Sequence, residues 1–430
     1  MSSFTGVVHQ NKFLGIGGTD VNAIVSIRSV VPPVASPVRG GRLVVGLCAD
    51  GSGSMSGDKW KNAKQALLDS VEKLPPSCEF FVIIGRTAAD VVVPLQYATP
   101  ENKTRALQTL RATDESGGTR FAQWLETARG EFERSHGDMR VLVFLTDGEN
   151  DEDGDDKLEA ELRRCTGRFE VESRGVGDQY RPDQLRLIQH ALGGSIDIIR
   201  TPADLSADFT AIVDRASLLA MSDVYLQVWT PVGAKLRMIK QFGNEILDLT
   251  SKVIPGPNAR TIRIPTGHWG EETRDYHVVV ELADTSVGKV GDTKLCARVS
   301  LIYREGGKDT EIKLDEGGQV LAIWTDDDKQ SAVINPRVAN YTGQAELSQR
   351  VQEGIKALEV GDHTKATAAL QRANELAEQT GHEATQKLIR KLTEVDERGT
   401  MRIKKNVDKM DVVELDTRST RTARTKKVGS

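Results

Sequence analysis

Leu43-Val44-Val45-Gly46-Leu47-Cys48-Ala49 runs straight into Asp50-Gly51-Ser52-Gly53-Ser54-Met55, seven residues without a charge followed by a polar, glycine-rich turn. A strand with one face in water alternates apolar and polar residues. An unbroken apolar run is what a strand shows when helices cover both faces of its sheet. Leu43 to Ala49 therefore reads as a central parallel strand. The polar turn that follows lies at its carboxyl end, where doubly wound sheets bind ligands.

Outward from this strand, helical and apolar segments take turns. A helix is expected near Lys59 to Leu74, strands at Glu79 to Ile84 and Asp90 to Leu95, and a helix from Phe121 to Phe132. Strands follow at Arg140 to Leu145 and Ser195 to Ile199, and a helix from Ser206 to Met221 closes the series. Such alternation with right-handed crossovers gives a doubly wound, Rossmann-like α/β domain over residues 39–221. From Ser222 the text changes to short alternating segments such as Val224-Tyr225-Leu226-Gln227-Val228-Trp229, which predict an antiparallel β-sandwich over 222–340. Residues 1–38 carry the same strand signals up to Pro32, Pro33 and Pro37 and are too short to fold alone. They are expected to pair into the sandwich, making the α/β domain an insertion.

Leu347, Val351, Ile355 and Leu358, then Leu370, Ala373 and Leu376 after Gly361-Asp362, predict a helical hairpin over 341–400. Residues 401–430 are polar and basic with few large apolar side chains and are expected to be disordered. The formal charge of -5 over 430 residues argues against a nucleic-acid partner, which needs a basic face. No run of about 18 apolar residues and no leader pattern points to a membrane. Cys48, Cys78, Cys165 and Cys296 lack histidines at metal-ligand spacing and read as free thiols of a reducing compartment, so a cytoplasmic location is expected.

Within the turn, Asp50, Ser52 and Ser54 occupy alternate positions that aim three side-chain oxygens at one point, and the intervening glycines let the backbone curl. A carboxylate with two hydroxyls suits a hard divalent cation; magnesium prefers six oxygens and keeps several waters. This DGSGS stretch resembles the metal-ion-dependent adhesion site of the von Willebrand factor A family, in its intracellular bacterial type. That family also has a threonine in a glycine-rich loop opening a helix, matched by Ser116-Gly117-Gly118-Thr119, and an aspartate after a later strand, matched by Phe144-Leu145-Thr146-Asp147-Gly148. The resemblance covers about Arg42 to Met221.

It implies that Asp50, Ser52, Ser54, Thr119 and Asp147 hold Mg2+, or Mn2+ or Ca2+ in its place. The serines would ligate directly, the aspartates mainly through water, and Thr119 in either way. A sixth position would be left for an Asp or Glu of a protein partner. The implied function is a non-enzymatic adaptor in kinase, phosphatase or stress signalling. A metal-assisted hydrolase using Asp50 and Asp147 is one alternative, although no histidine near the motifs offers a general base. A subunit of an ATPase-driven chelatase or remodelling complex is another.

Other features read more plainly. Glu149 to Asp156 is an acidic loop rather than an EF-hand, because it follows a strand and lacks the regular donors. The seven histidines form no ligand pair, Cys48 reads as core, and Ser56 is a candidate N-cap. The tail from Asp411 to Thr425 alternates hydroxyls with arginines, which makes Thr417, Thr420 and Thr422 candidate phosphorylation sites for a Ser/Thr kinase. A phosphothreonine-binding domain would be the reader.

Overall fold

The computed structural model describes residues 3–30, 42–150, 154–217, 221, 224–305, 308–395 and 401–422. The chain divides into two units, residues 36–221 with 408–418, and residues 1–35 with 222–407 and 419–430. The chain begins in the second of these with three strands, β1 (Ser3–Gln10), β2 (Phe13–Gly15) and β3 (Asp20–Val30).

The α/β unit follows as β4 (Leu43–Asp50), α1 (Asp58–Lys73), β5 (Glu79–Gly85), β6 (Ala89–Tyr97), α2 (Pro100–Arg111) and α3 (Phe121–Arg134). It continues as β7 (Met139–Thr146), α4 (Asp155–Cys165), β8 (Glu170–Val176), α5 (Pro182–Leu192), β9 (Ile196–Ile199) and α6 (Leu205–Ser217). Its sheet runs β6-β5-β4-β7-β8-β9, parallel except for β6, which returns antiparallel at the edge. Every residue of β4 is buried, as an apolar run covered on both faces requires. One core, with Leu47, Leu67, Val143 and Phe209, lies on one face; the other holds Phe81, Trp124, Phe144 and Leu185.

Strand β8 escapes the sequence reading because Glu172, Ser173 and Arg174 interrupt its hydrophobic pattern although all three are buried. Arg174 Nε donates to Asp208 at 2.6 Å, and the guanidinium lies 3.6 Å from Glu172. The ion pairs thus let a charged residue occupy an interior strand. Ser56 is not the N-cap of α1. That position is Gly57, without a side-chain cap, because Ser56 closes the 3-10 turn Gly53–Met55.

The second unit resumes with β10 (Val224–Trp229), β11 (Ala234–Phe242), β12 (Ile246–Asp248), β13 (Ile254–Pro255), β14 (Thr261–Pro265) and β15 (Thr273–Leu282). Strands β16 (Thr293–Glu305), β17 (Lys308–Lys313) and β18 (Gln319–Thr325) complete two sheets. One runs β1-β3-β15-β11-β12; the other runs β13-β14-β10-β16-β18-β2, with β17 also on β16. The N-terminal strands join both, β3 antiparallel to β15 and β2 parallel to β18. The α/β unit is therefore inserted between paired strands. Pro32, Pro33 and Pro37 lie outside the described residues.

Four helices follow, α7 (Asp328–Ser331), α8 (Pro336–Glu359), α9 (His363–Gln379) and α10 (Glu383–Leu392). The expected hairpin over 341–400 is thus three long helices. The third has its own start signal, His382, whose ring accepts from the backbone N–H of Thr385, and its own buried face of Leu388, Ile389 and Leu392.

The expectation of a disordered tail from 401 is also corrected. Met401–Ile403 (β20) pairs with Thr393–Val395 (β19), and Lys409–Thr417 forms α11, which belongs to the α/β unit. Asp416 pairs with Arg186 at 2.9 Å, Asp411 and Glu414 with Arg200, and Arg418 with Asp197 at 3.0 Å. Composition reads these charges as solvated. Tertiary partners neutralise them instead, while Val413 and Leu415 are buried. Residues 419–422 return to the β-rich unit, where Ile246 N–H donates to Thr420 O at 2.8 Å and Arg421 bridges Glu245. The end of the tail, 423–430, and Asp151 to Asp153 of the acidic loop lie outside the described residues. Among those described, no helix is long and apolar enough to cross a membrane.

Candidate metal centre

Strands β4 and β7 are parallel neighbours with Ala49 opposite Leu145, so their ends deliver Asp50 and Thr146 side by side. Thr146 Oγ1 donates to Asp50 Oδ2 at 2.7 Å, and the backbone N–H of Ser52 donates to Asp50 Oδ1 at 2.9 Å. Asp50 is thereby aimed before anything else binds. The chain then makes the single 3-10 turn Gly53–Met55, pinned from below by the fully buried Met55. This turn lifts Ser54 to the surface, with its Oγ 2.9 Å from that of Ser52. Ser54 Oγ in turn donates to Asp147 Oδ1 at 2.7 Å, and Lys59 of α1 donates to Asp147 Oδ2.

Thr119 arrives from a third loop, which the backbone ties down at both sides. Ser116 N–H donates to Gly51 O at 2.6 Å, and Gly53 N–H donates to Gly117 O at 3.0 Å. Gly117 has φ +88°, a conformation that favours glycine, and this turns the loop back toward β4. A Cβ placed on Gly148 would lie 3.6 Å from Thr119 Oγ1 and 3.9 Å from Ser54 Oγ, so these hydroxyls flank the same glycine. All five residues expected from the sequence are brought together. Asp50, Ser52, Thr119 and Asp147 are buried, and Ser54 stands at the mouth.

The arrangement contains features that the sequence did not announce. Thr146 orients Asp50, and its only signal is a hydroxyl ending an apolar strand. Thr87, from the β5–β6 turn, accepts the N–H of Gly118 at 2.8 Å and holds the glycine-rich loop. Asn150 Oδ1 accepts the N–H of Phe121 at 2.8 Å and so caps α3 from the far loop, since Arg120 makes no side-chain cap. Lys59 has no pattern that marks it.

Two buried carboxylates in one site are costly unless cations balance them, and the ammonium of Lys59 offsets only one of the two charges. Burial pushes the Asp50 carboxyl up to about 6 and the neighbouring Asp147 adds to the rise, against the hydrogen bonds from Ser52 and Thr146 that hold it down. A set of hard oxygens, two of them charged and one at the surface, is the chemistry a divalent ion such as magnesium takes. The donors present fit it.

The candidate phosphorylation sites lie elsewhere. Thr417 is fully buried, its Oγ1 2.6 Å from Tyr180 Oη; Thr420 is buried near Glu245; Thr422 Oγ1 donates to Gly243 O. Thr417 and Thr420 are thus packed inside the fold, and Thr422 is half-buried.

Comparisons with known proteins agree with the fold. The von Willebrand factor type A domain matches residues 44–198, and the von Willebrand factor type A C-terminal domain matches residues 375–419. The second match runs from the end of α9 through α11. A von Willebrand factor type A protein from Catenulispora acidiphila is 35% identical, covers 98% of this chain and 97% of its own, and superposes with a TM-score of 0.91. The ArnB paralog VWA2 from Sulfolobus acidocaldarius shares the fold, with a TM-score of 0.62 over 97% of this chain and 98% of its own at 15% identity. An uncharacterized protein of Synechocystis is 28% identical over 221 residues, 49% of this chain and 51% of that protein. The chain thus spans about half the length of that curated relative. Domains of this kind often hold a divalent metal at an adhesion site and generally serve protein interaction. On the match along nearly its whole length, the chain belongs to the von Willebrand factor type A family.

Proposed function

We propose that this protein is a metal-dependent adaptor. Asp50, Ser52, Ser54, Thr119 and Asp147 hold Mg2+, or Mn2+ in its place, and the ion binds an Asp or Glu side chain of a protein partner. The observation that carries this reading is the convergence of five oxygen-bearing residues from three loops at the carboxyl ends of β4 and β7. A divalent ion would offset the buried carboxylates, and the exposed Ser54 gives a ligand a way to the ion. The protein acts by binding rather than by catalysis. The residues around the site are hydroxyls, carboxylates and a lysine already paired to Asp147, a set that serves coordination better than proton transfer. A cytoplasmic signalling setting remains part of the proposal.

The test is calorimetric titration of Mg2+ and Mn2+ into chelator-stripped wild type and Asp50→Ala, then capture of host proteins with and without chelator. Metal binding by wild type alone, with a partner lost on chelation and on Asp50→Ala, is the expected result. Equal heats from both proteins, or capture indifferent to chelator, would overturn the adaptor reading.

A further inference from the structure

We infer that Lys59 is a resident counter-cation of the adhesion site: its ammonium stabilises the buried carboxylates by itself and weakens the binding of a divalent ion. The inference rests on the metal reading above and assigns a role in it to a residue outside the motif.

Lys59 is the second residue of α1, directly after the motif's turn. Its ammonium donates to Asp147 Oδ2 while Ser54 donates to Oδ1, so both oxygens of Asp147 are engaged by the protein. The pair is not an ordinary surface salt bridge. The lysine side chain is 32% exposed, but that of Asp147 is 0% exposed, and exposed pairs contribute little where buried ones are strongly coupled. Removing one partner of such a pair leaves the other as an uncompensated buried charge.

The charge count gives the role its direction. With Lys59 in place, two carboxylates and one ammonium leave the site with a single negative charge. A divalent ion then gives a single positive excess, and one carboxylate from a partner neutralises it. Without Lys59 the ion and the two aspartates already balance, and the partner's carboxylate becomes one charge too many. Lys59 therefore weakens metal binding and makes the loaded site want an acidic ligand. Lysine suits this better than arginine. Its compact ammonium on a flexible stem can swing from Asp147 toward solvent, whereas a guanidinium locks onto a carboxylate through a rigid fork.

The experiment compares chelator-stripped wild type, Lys59→Met and Lys59→Arg by Mg2+ calorimetry and by thermal melting in chelator and in saturating Mg2+. Loss of the like charge is expected to tighten Mg2+ binding by Lys59→Met roughly tenfold. Without metal this variant should melt below wild type, and Mg2+ should narrow that gap. Lys59→Arg, which keeps the charge, should bind Mg2+ more like wild type than like Lys59→Met. Mg2+ affinity of Lys59→Met equal to or below that of wild type would overturn it and leave the metal site standing. Heats absent from all three proteins would overturn the adhesion-site reading and this inference with it.

Discussion

His277 and Asp50 are buried ionisable groups that burial moves in opposite directions. Asp50 is raised because its charged form is the anion, and His277 is lowered to about 4 because its charged form is the cation, with nearby Lys240 adding to the fall. The His277 ring sits in β15 with its Nε2 3.0 Å from Asn22 Oδ1 of β3. Its folded value lies below the ordinary 6.5, so between those two values the unfolded chain binds more protons than the folded one. Stability contributed by neutral His277 is fully present above about 6.5 and is lost as the pH falls through about 4, to the extent of about 3 kcal/mol. Denaturant melts at pH 7 and pH 4.5 should show the loss, and His277→Gln should flatten it. Thr417 presents a second residue-scale expectation. Its hydroxyl meets Tyr180 in a fully buried position, so Thr417→Glu would bury an unpaired charge or expel α11. Hydrogen exchange over 409–418 should rise at least roughly tenfold; unchanged protection there would show that the helix accommodates a charge and restore Thr417 as a modification site.

At the scale of elements, the site depends on how closely β5 and α3 pack. A Cβ on Gly85, the last residue of β5, would lie 2.4 Å from the Trp124 ring, which is itself fully buried. Trp124 Nε1 also donates to Arg86 O at 2.7 Å and so fixes the turn that carries Thr87 against the glycine-rich loop. Gly85→Ala is expected to lower stability by about 1–3 kcal/mol through overpacking. It should also weaken Mg2+ binding, since the loop that presents Thr119 shifts with the turn. Normal Mg2+ affinity in a destabilised Gly85→Ala would disconnect the two effects. Helix α11 is the other informative element. It is anchored by Arg186, Arg200 and Asp197 rather than by an amphipathic repeat, which explains why periodicity did not reveal it.

On the scale of the molecule, the chain leaves the β-rich unit after β3, builds the α/β unit, and comes back to it at β10. It repeats the exchange at its other end, giving 408–418 to the α/β unit and 419–422 to the β-rich one. Truncation after Val407 should therefore destabilise both units. Exchange protection should fall in β9 and α5, which lose α11, and in β12, which loses Thr420. Protection unchanged in both places would show that the segment adds nothing to either.

The first turn of the candidate site and the α/β fold were legible because their signals are local. Leu43 to Ala49 is apolar without a break because both sheet faces are covered, and Asp50, Ser52 and Ser54 need only one turn to converge. Thr119 and Asp147 were found through a family resemblance, since nothing in their spacing along the chain brings them to Asp50. That the N-terminal strands pair with those of 222–340 was anticipated from shared strand signals, but their partners, β15 for β3 and β18 for β2, were not. Tertiary structure alone decided that Thr146 aims Asp50, that Lys59 reaches Asp147, that Arg174 can occupy an interior strand, and that residues 408–422 pack against the fold. In each case an ionic or polar group is satisfied by a partner distant in sequence. Hydrophobic periodicity records which face of an element is buried, but it carries no record of which charge will meet which.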